Sequence, residues 1–342
     1  MSMYNAESQH YSETRHPTLY LCDGDVVLAA ARSPTATILF RVDKVYLARS
    51  VNEMYDGVPR VQLADDADDL ARLLAALYDP TSLSLERLNP DTPILMTGVM
   101  KLAVKYEIDA VRTLIVKHIE ADWPQTLEDW DAYQAERGAA AQAYNESKDK
   151  KFKGKYFDEV YPEPVAAIRF ALEFDVPSIL PAAWYQLATT DAKVHLDYDT
   201  IRRQPSLRLF SAPCSAKARW KLLQTDASLL TITMFGKAKL EDYMKVAEHI
   251  LRNSALACES SQRCEQSGFK KAREFLALYG TPADPLYGIK QILTSGLWDT
   301  DMCTECIAYK HKQLQRARRT IWEALPEDFQ LPSWEMTEAA SE

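Results

Sequence analysis

The chain opens on short apolar runs with a period of two. Leu19 to Leu28 (LYLCDGDVVL) places two apolar stretches around Asp23-Gly24-Asp25, a turn signal beside the β-rich Val26-Val27-Leu28. Ala36 to Val42 (ATILFRV) is a second β-branched run, and the two together predict a short antiparallel pair. Arg60-Val61-Gln62-Leu63 alternates polar and apolar residues, as a half-buried strand does. The period then changes to that of a helix. Leu70, Leu73, Leu74 and Leu77 fall on one helical face, behind aspartates that suit the positive end of the helix dipole. Thr92-Pro93 predicts the start of a second helix with the stripe Leu95, Val99, Leu102 and Tyr106. A third begins near Asp109, with Val111, Leu114, Ile115 and His118 on one face.

Residues 123–160 break this regularity. Glu136 to Glu159 is polar and charged without a stable period, and predicts a surface insertion or linker between two units. Helical spacing then returns in Val165, Ile168 and Leu172. It continues in Leu180, Ala183, Trp184 and Leu187 behind Pro177, and in Leu240, Tyr243, Met244, Ala247 and Leu251. A last helix is expected from about Glu305 to Leu325, with Ile307, Leu314, Ala317 and Ile321 inward and Lys310, Lys312, Arg316 and Arg319 on a solvated outer face. Strands followed by helices, then helices alone, predict an α+β first half and an all-helical second half. The expected organisation is a disordered leader over 1–16, an α+β domain over 17–122, the insertion over 123–160, a helical domain with paired cysteines over 161–330, and an acidic tail over 331–342.

Length agrees with two units, since 342 residues exceed the roughly 250–300 at which single cores stop growing. The formal charge of −9 opposes a phosphate backbone, so nucleic-acid binding needs a local basic patch. The candidate is Lys148 to Lys155 (KDKKFKGK), which reads first as a solvated insertion. No run approaches the ~18 apolar residues of a membrane span, and the first residues lack the apolar region of a secretory signal. Six cysteines in a chain of this length predict reduced thiols, and therefore the cytoplasm or the nucleus.

Four of those cysteines are paired by spacing. Cys303-Thr304-Glu305-Cys306 places two thiols on one side of a tetrahedron, and Cys258 with Cys264 can supply the other side of a structural zinc site. His249 and His311 are alternative ligands. Two other readings stand beside this one: small buried apolar residues, and a CxxC thiol-redox site whose thiol is activated at a helix start. Cys22 and Cys214 have no activating neighbour. The glycine-rich phosphate loops, the GxSxG elbow and the HExxH helix are all absent, and the paired aspartates 65–66 and 68–69 sit where helix capping accounts for them, so no enzyme activity is expected.

Several separated segments resemble one family. Phe40-Arg41-Val42-Asp43-Lys44-Val45-Tyr46-Leu47-Ala48-Arg49-Ser50 is similar to the Phe-x-Val-His-Lys-x-x-Leu-x-x-x-Ser segment of BTB/POZ domains, with Asp43 at the histidine position. Asp56 to Leu63 with the Leu70 helix resembles the family's next strand and helix, and Leu102 to Ile108 its Leu-x-x-Lys-Tyr-x-Ile segment. Trp123 to Trp130 and Val176 to Tyr185 extend the resemblance to the BTB proteins of mushroom-forming fungi, over most of the chain. After Val51 the family's Ser-x-x-Phe segment and second helix are missing. The resemblance implies a protein-interaction adaptor or scaffold without a cofactor in its first half. Implied partners are a second copy of the chain, a cullin-type ubiquitin ligase or a transcriptional regulator. Val45, Leu47, Met54 and Tyr55 flank the shortened region and are the candidate contact residues. Two alternatives from other classes are a zinc-stabilised, nucleic-acid-associated regulator and a CxxC redox protein.

Overall fold

A computed structural model describes residues 11–43, 53–148, 154–156, 159–190, 197–199, 218–256, 258, 261–294 and 302–331. The chain divides into two compact units, residues 1–86 with 94–118, and residues 87–93 with 119–342. The mixed α+β character expected of the whole is present: a small five-stranded sheet, and otherwise helices.

In the first unit the strands are β1 (Ser12–Tyr20), β2 (Val26–Ser33), β3 (Ala36–Val42), β4 (Glu53–Tyr55) and β5 (Val58–Asp66), in the spatial order β1-β3-β2-β5-β4. β2 and β3 form the antiparallel pair, but their turn is Pro34-Thr35 rather than Asp23-Gly24. The earlier turn connects β1 to β2, which do not pair, because β1 runs parallel to β3 on its other side. Gly24 lies so close to the β3 backbone that a Cβ there would come within 2.9 Å of Arg41 C and Val42 N. The expected disordered leader is corrected over its described part: Ser12 to His16 belong to β1. These side chains are polar and mostly exposed, and backbone pairing with β3 is joined by the ion pairs Glu13–Arg60 and Arg15–Asp56 and by stacking of His16 on Phe40, so no apolar alternation marks the strand in the sequence.

Central β2 buries Val26 to Ala30 completely or nearly so, as expected of a strand with neighbours on both edges. Val27, Ala29 and Leu39 form a core cluster joined by Tyr20, Tyr55 and Val58. β4 and β5 turn through Asp56 and Gly57, both with positive φ (50° and 78°), the hairpin geometry that Asp-Gly favours. Helix α1 (Ala67–Tyr78) starts at Asp66, whose carboxylate accepts from the amides of Asp68 and Asp69. Helices α2 (Thr92–Lys105) and α3 (Asp109–Ala121) follow. In their stripes Val99, Leu102, Val111 and Ile115 are buried, whereas Leu95 and Leu114 are exposed.

The second unit contains α4 (Leu127–Glu146), α5 (Pro164–Phe174), α6 (Leu180–Ala188), α7 (Trp220–Gln224), α8 (Ala227–Arg252), α9 (Ser261–Tyr279), α10 (Pro285–Thr294) and α11 (Thr304–Asp328). No β-strand is among its described residues. The expected insertion over 123–160 is corrected for much of its length, because α4 occupies it. Thr126 caps that helix at the amide of Asp129, and Trp130, Tyr133, Ala140, Ala141 and Tyr144 are buried. Trp130 packs against Tyr133, Tyr185 and Trp322. Three aromatic residues and two alanines make this inward face, and small residues blur the contrast on which a period is read. Lys148 and Lys155 are described, and residues 149–153 between them lie outside the described residues.

Candidate metal centre

Three segments of the second unit converge on one point. The loop after α8 carries Cys258, the first turn of α9 carries Cys264, and the start of α11 carries Cys303 and Cys306. Their four sulfur atoms lie within 4.8 Å of one another. Cys258 Sγ and Cys303 Sγ are 3.7 Å apart. Four sulfurs at about 2.3 Å from a tetrahedral zinc are ~3.8 Å from each other, so the cluster has the dimensions of one four-sulfur site. Neither His249 nor His311 belongs to it.

Local structure orients each sulfur. Cys303 is the N-cap of α11, and its Sγ accepts from the Cys306 amide at 3.4 Å. Cys264 Sγ accepts from the Cys303 amide at 3.3 Å, and Cys306 Sγ from the Ala255 amide at 3.2 Å. Backbone N–H donors favour the thiolate, and the positive ends of α9 and α11 add to them. The Cys306 amide is the main cause that draws the Cys303 thiol down to about 7. Burial pushes the Cys264 thiol up. Cys264 and Cys306 are fully buried beside Met302, while Cys258 and Cys303 are half-buried.

Lys310 corrects one expectation. Placed on the solvated outer face of the last helix by its sequence, it is fully buried instead. The inward face of α11 is Cys306, Lys310, Leu314, Arg318, Ile321 and Leu325, a run of three- and four-residue steps. That spacing was present in the sequence. It was hidden because Lys and Arg at two of its positions read as surface. Arg318 reaches Asp131 with its guanidinium and the Leu286 carbonyl with Nε at 2.9 Å.

Of the contact residues expected beside the shortened region, Val45 and Leu47 lie outside the described residues. Met54 is 67% exposed on β4, at the edge of the sheet. Tyr55 is partly buried against the Val27–Ala29–Leu39 cluster. Cys22 is exposed and Cys214 lies outside the described residues. Among the described residues no helix is long and apolar enough to cross a membrane.

The sequence matches no protein-family model and no curated protein, and the structure matches no solved structure.

Proposed function

We propose that this chain is a non-catalytic protein-interaction scaffold, with a BTB/POZ-like first unit and a helical second unit clamped by one structural zinc ion. The closed set of four cysteine sulfurs carries the metal part of this reading. Structural zinc takes four protein ligands, whereas catalytic zinc keeps a position open for water or substrate. A donor set made only of sulfur suits zinc better than calcium or magnesium. Cysteines from one loop and from two separate helix starts are what a small clamp between helices requires. The redox alternative has less support, since the CxxC is not preceded by a strand among the described residues and its second cysteine is fully buried.

The BTB/POZ part is supported by the order of elements: a strand pair, a further strand, one helix, then a helix pair. The chain passes from Val42 at the end of β3 to Glu53 at the start of β4, the interval in which the family has its additional helical segment. Met54, exposed on the strand at the edge of the sheet, offers an apolar side chain to a partner. Val45, Leu47, Met54 and Tyr55 remain the proposed contact set, with a second copy or a cullin-type ligase as proposed partners, in the cytoplasm or nucleus. Co-purification of tagged with untagged full-length chain, followed by mass spectrometry, tests the scaffold reading. Recovery of the untagged copy or a cullin, lost on Met54→Glu, is the expected result. Equal recovery with the wild type and Met54→Glu contradicts the contact set, and recovery of neither partner contradicts the scaffold reading as stated.

A further inference from the structure

The sulfur cluster has a charged neighbour that no carboxylate among the described residues accompanies. Lys310 follows Cys306 by one helical turn on the inward face of α11 and is completely buried. Its Nζ donates to the carbonyls of Leu251 at 2.7 Å, Ile250 at 3.4 Å and Asn253. An ammonium has three N–H donors and a neutral amine two, so three accepting carbonyls are matched by the charged form. Those carbonyls end α8, where the helix dipole favours a cation. The same turn continues to Ala255, whose amide donates to Cys306 Sγ, and to Cys258.

A buried ammonium is costly unless an anion accompanies it. The candidate anions are the cysteine sulfurs: Cys306 lies one turn before Lys310 on the same buried face of α11, and the chain segment whose carbonyls hold Nζ leads to Ala255, whose amide holds Cys306 Sγ. With four neutral thiols the region would hold an uncompensated positive charge. With four thiolates around a dication it would hold two net negative charges, and the ammonium would offset one of them. The carbonyls and the end of α8 favour the ammonium in both arrangements, and the metal-bound one adds a charge of opposite sign.

We propose that Lys310 is the charge-compensating residue of the four-cysteine site, raising its affinity for zinc through its positive charge and not merely by tying α8 to α11. This deepens the zinc reading and rests on it. Residues around metal ligands typically change metal affinity by about 10–100-fold when substituted. The measurement is the zinc dissociation constant of the full chain, by competition with a chromophoric chelator at neutral pH. Lys310→Met removes the charge and the donors. Lys310→Gln removes the charge but keeps N–H donors for the carbonyls, so it decides the matter even if the methionine variant fails to fold.

Both variants are expected to bind zinc about 10–100-fold more weakly than the wild type. A second comparison separates charge from scaffolding. In a Cys258→Ser background the zinc site is one charge less negative, so the loss caused by Lys310→Gln is expected to shrink at least threefold. Wild-type affinity in Lys310→Gln, or the same fold-loss in both backgrounds, would overturn the proposal. A wild-type chain that binds no zinc overturns the zinc reading itself. A wild type that binds one ion with unchanged affinity in Lys310→Gln overturns only the role of Lys310.

Discussion

Removing the metal is the perturbation whose size the structure sets most directly. The clamp joins Cys264 to Cys303, 39 residues apart in sequence, and Cys258 to Cys303, 45 apart. A cross-link closing a loop of that length removes chain entropy from the unfolded state worth about 4 kcal/mol, by the relation used for disulfides, and metal clips act on loops in the same way. For a unit of this size each kcal/mol moves the melting temperature by about 2–4 °C, so metal removal is expected to lower it by about 8–16 °C. All seven tryptophans lie at position 123 or later, so their fluorescence reports on the second unit alone. The assay is thermal unfolding of the full chain under reducing conditions, followed by tryptophan fluorescence, before and after a chelator. Cys306→Ser should reproduce the chelator effect and Cys22→Ser should not, because Cys22 is exposed and belongs to the first unit. A shift below about 2 °C after verified metal removal would refute the clamp, since even half the loop entropy exceeds it.

Other features of the second unit give independent tests. Arg219 is buried and bonds Glu163, Asp91, Asp199 and the Pro90 carbonyl, while its guanidinium carbon lies 4.6 Å from the Tyr198 ring centroid. Arg219→Met leaves the fully buried Glu163 without its cation, and a loss of about 3–5 kcal/mol is expected in urea unfolding, much of it recovered by adding Glu163→Gln. Gly236 lies inside α8 beneath the buried ring of Phe329, which stacks on Trp184 at 5.7 Å. Helix propensity alone gives Gly236→Ala a gain of about 1 kcal/mol, but the new methyl would overlap that ring, so a net loss is expected in the same assay. Burial pushes the Tyr133 hydroxyl, which donates to Gln186 Oε1 at 3.1 Å, up to about 12. A raised folded value means that its stabilisation is complete below pH ~10 and disappears as pH rises toward ~12; Tyr133→Phe should flatten this alkaline limb by about 3 kcal/mol.

The parts of this architecture that were legible share a strong local signature. The β2–β3 pair, α1 to α3 and the stripe from Leu240 to Leu251 follow from period and breaker residues, and the two cysteine pairs from ligand spacing. The parts that were not legible fail for distinct reasons. The start of β1 is held by backbone pairing and by polar side-chain contacts such as Glu13–Arg60 and Arg15–Asp56, which an apolar alternation does not record. The buried face of α4 is made of three aromatic residues and two alanines spread over a helix rich in charged and exposed small residues, so no apolar stripe stands out. Leu172 matches the phase of Val165 and Ile168 yet is 45% exposed, because a stripe of three residues does not fix how wide the covered face is. Lys310 is expected outward from its residue type, although its spacing from Cys306 and Leu314 places it inward, and Arg318 continues the same buried row without any sequence expectation attached to it. Each belongs to a long-range arrangement: Lys310 meets carbonyls at the end of α8, and Arg318 meets Asp131. Such partners, carbonyls for one and a carboxylate for the other, are brought together only in the folded unit.

Elemental analysis of the purified full chain, with its cysteine thiols counted before and after a chelator, bears most directly on the four-cysteine clamp. The account predicts one zinc per chain, with Cys258, Cys264, Cys303 and Cys306 protected from a thiol reagent until the chelator is added. A zinc content well below one, with all four of these cysteines reacting freely in the untreated folded protein, would contradict it.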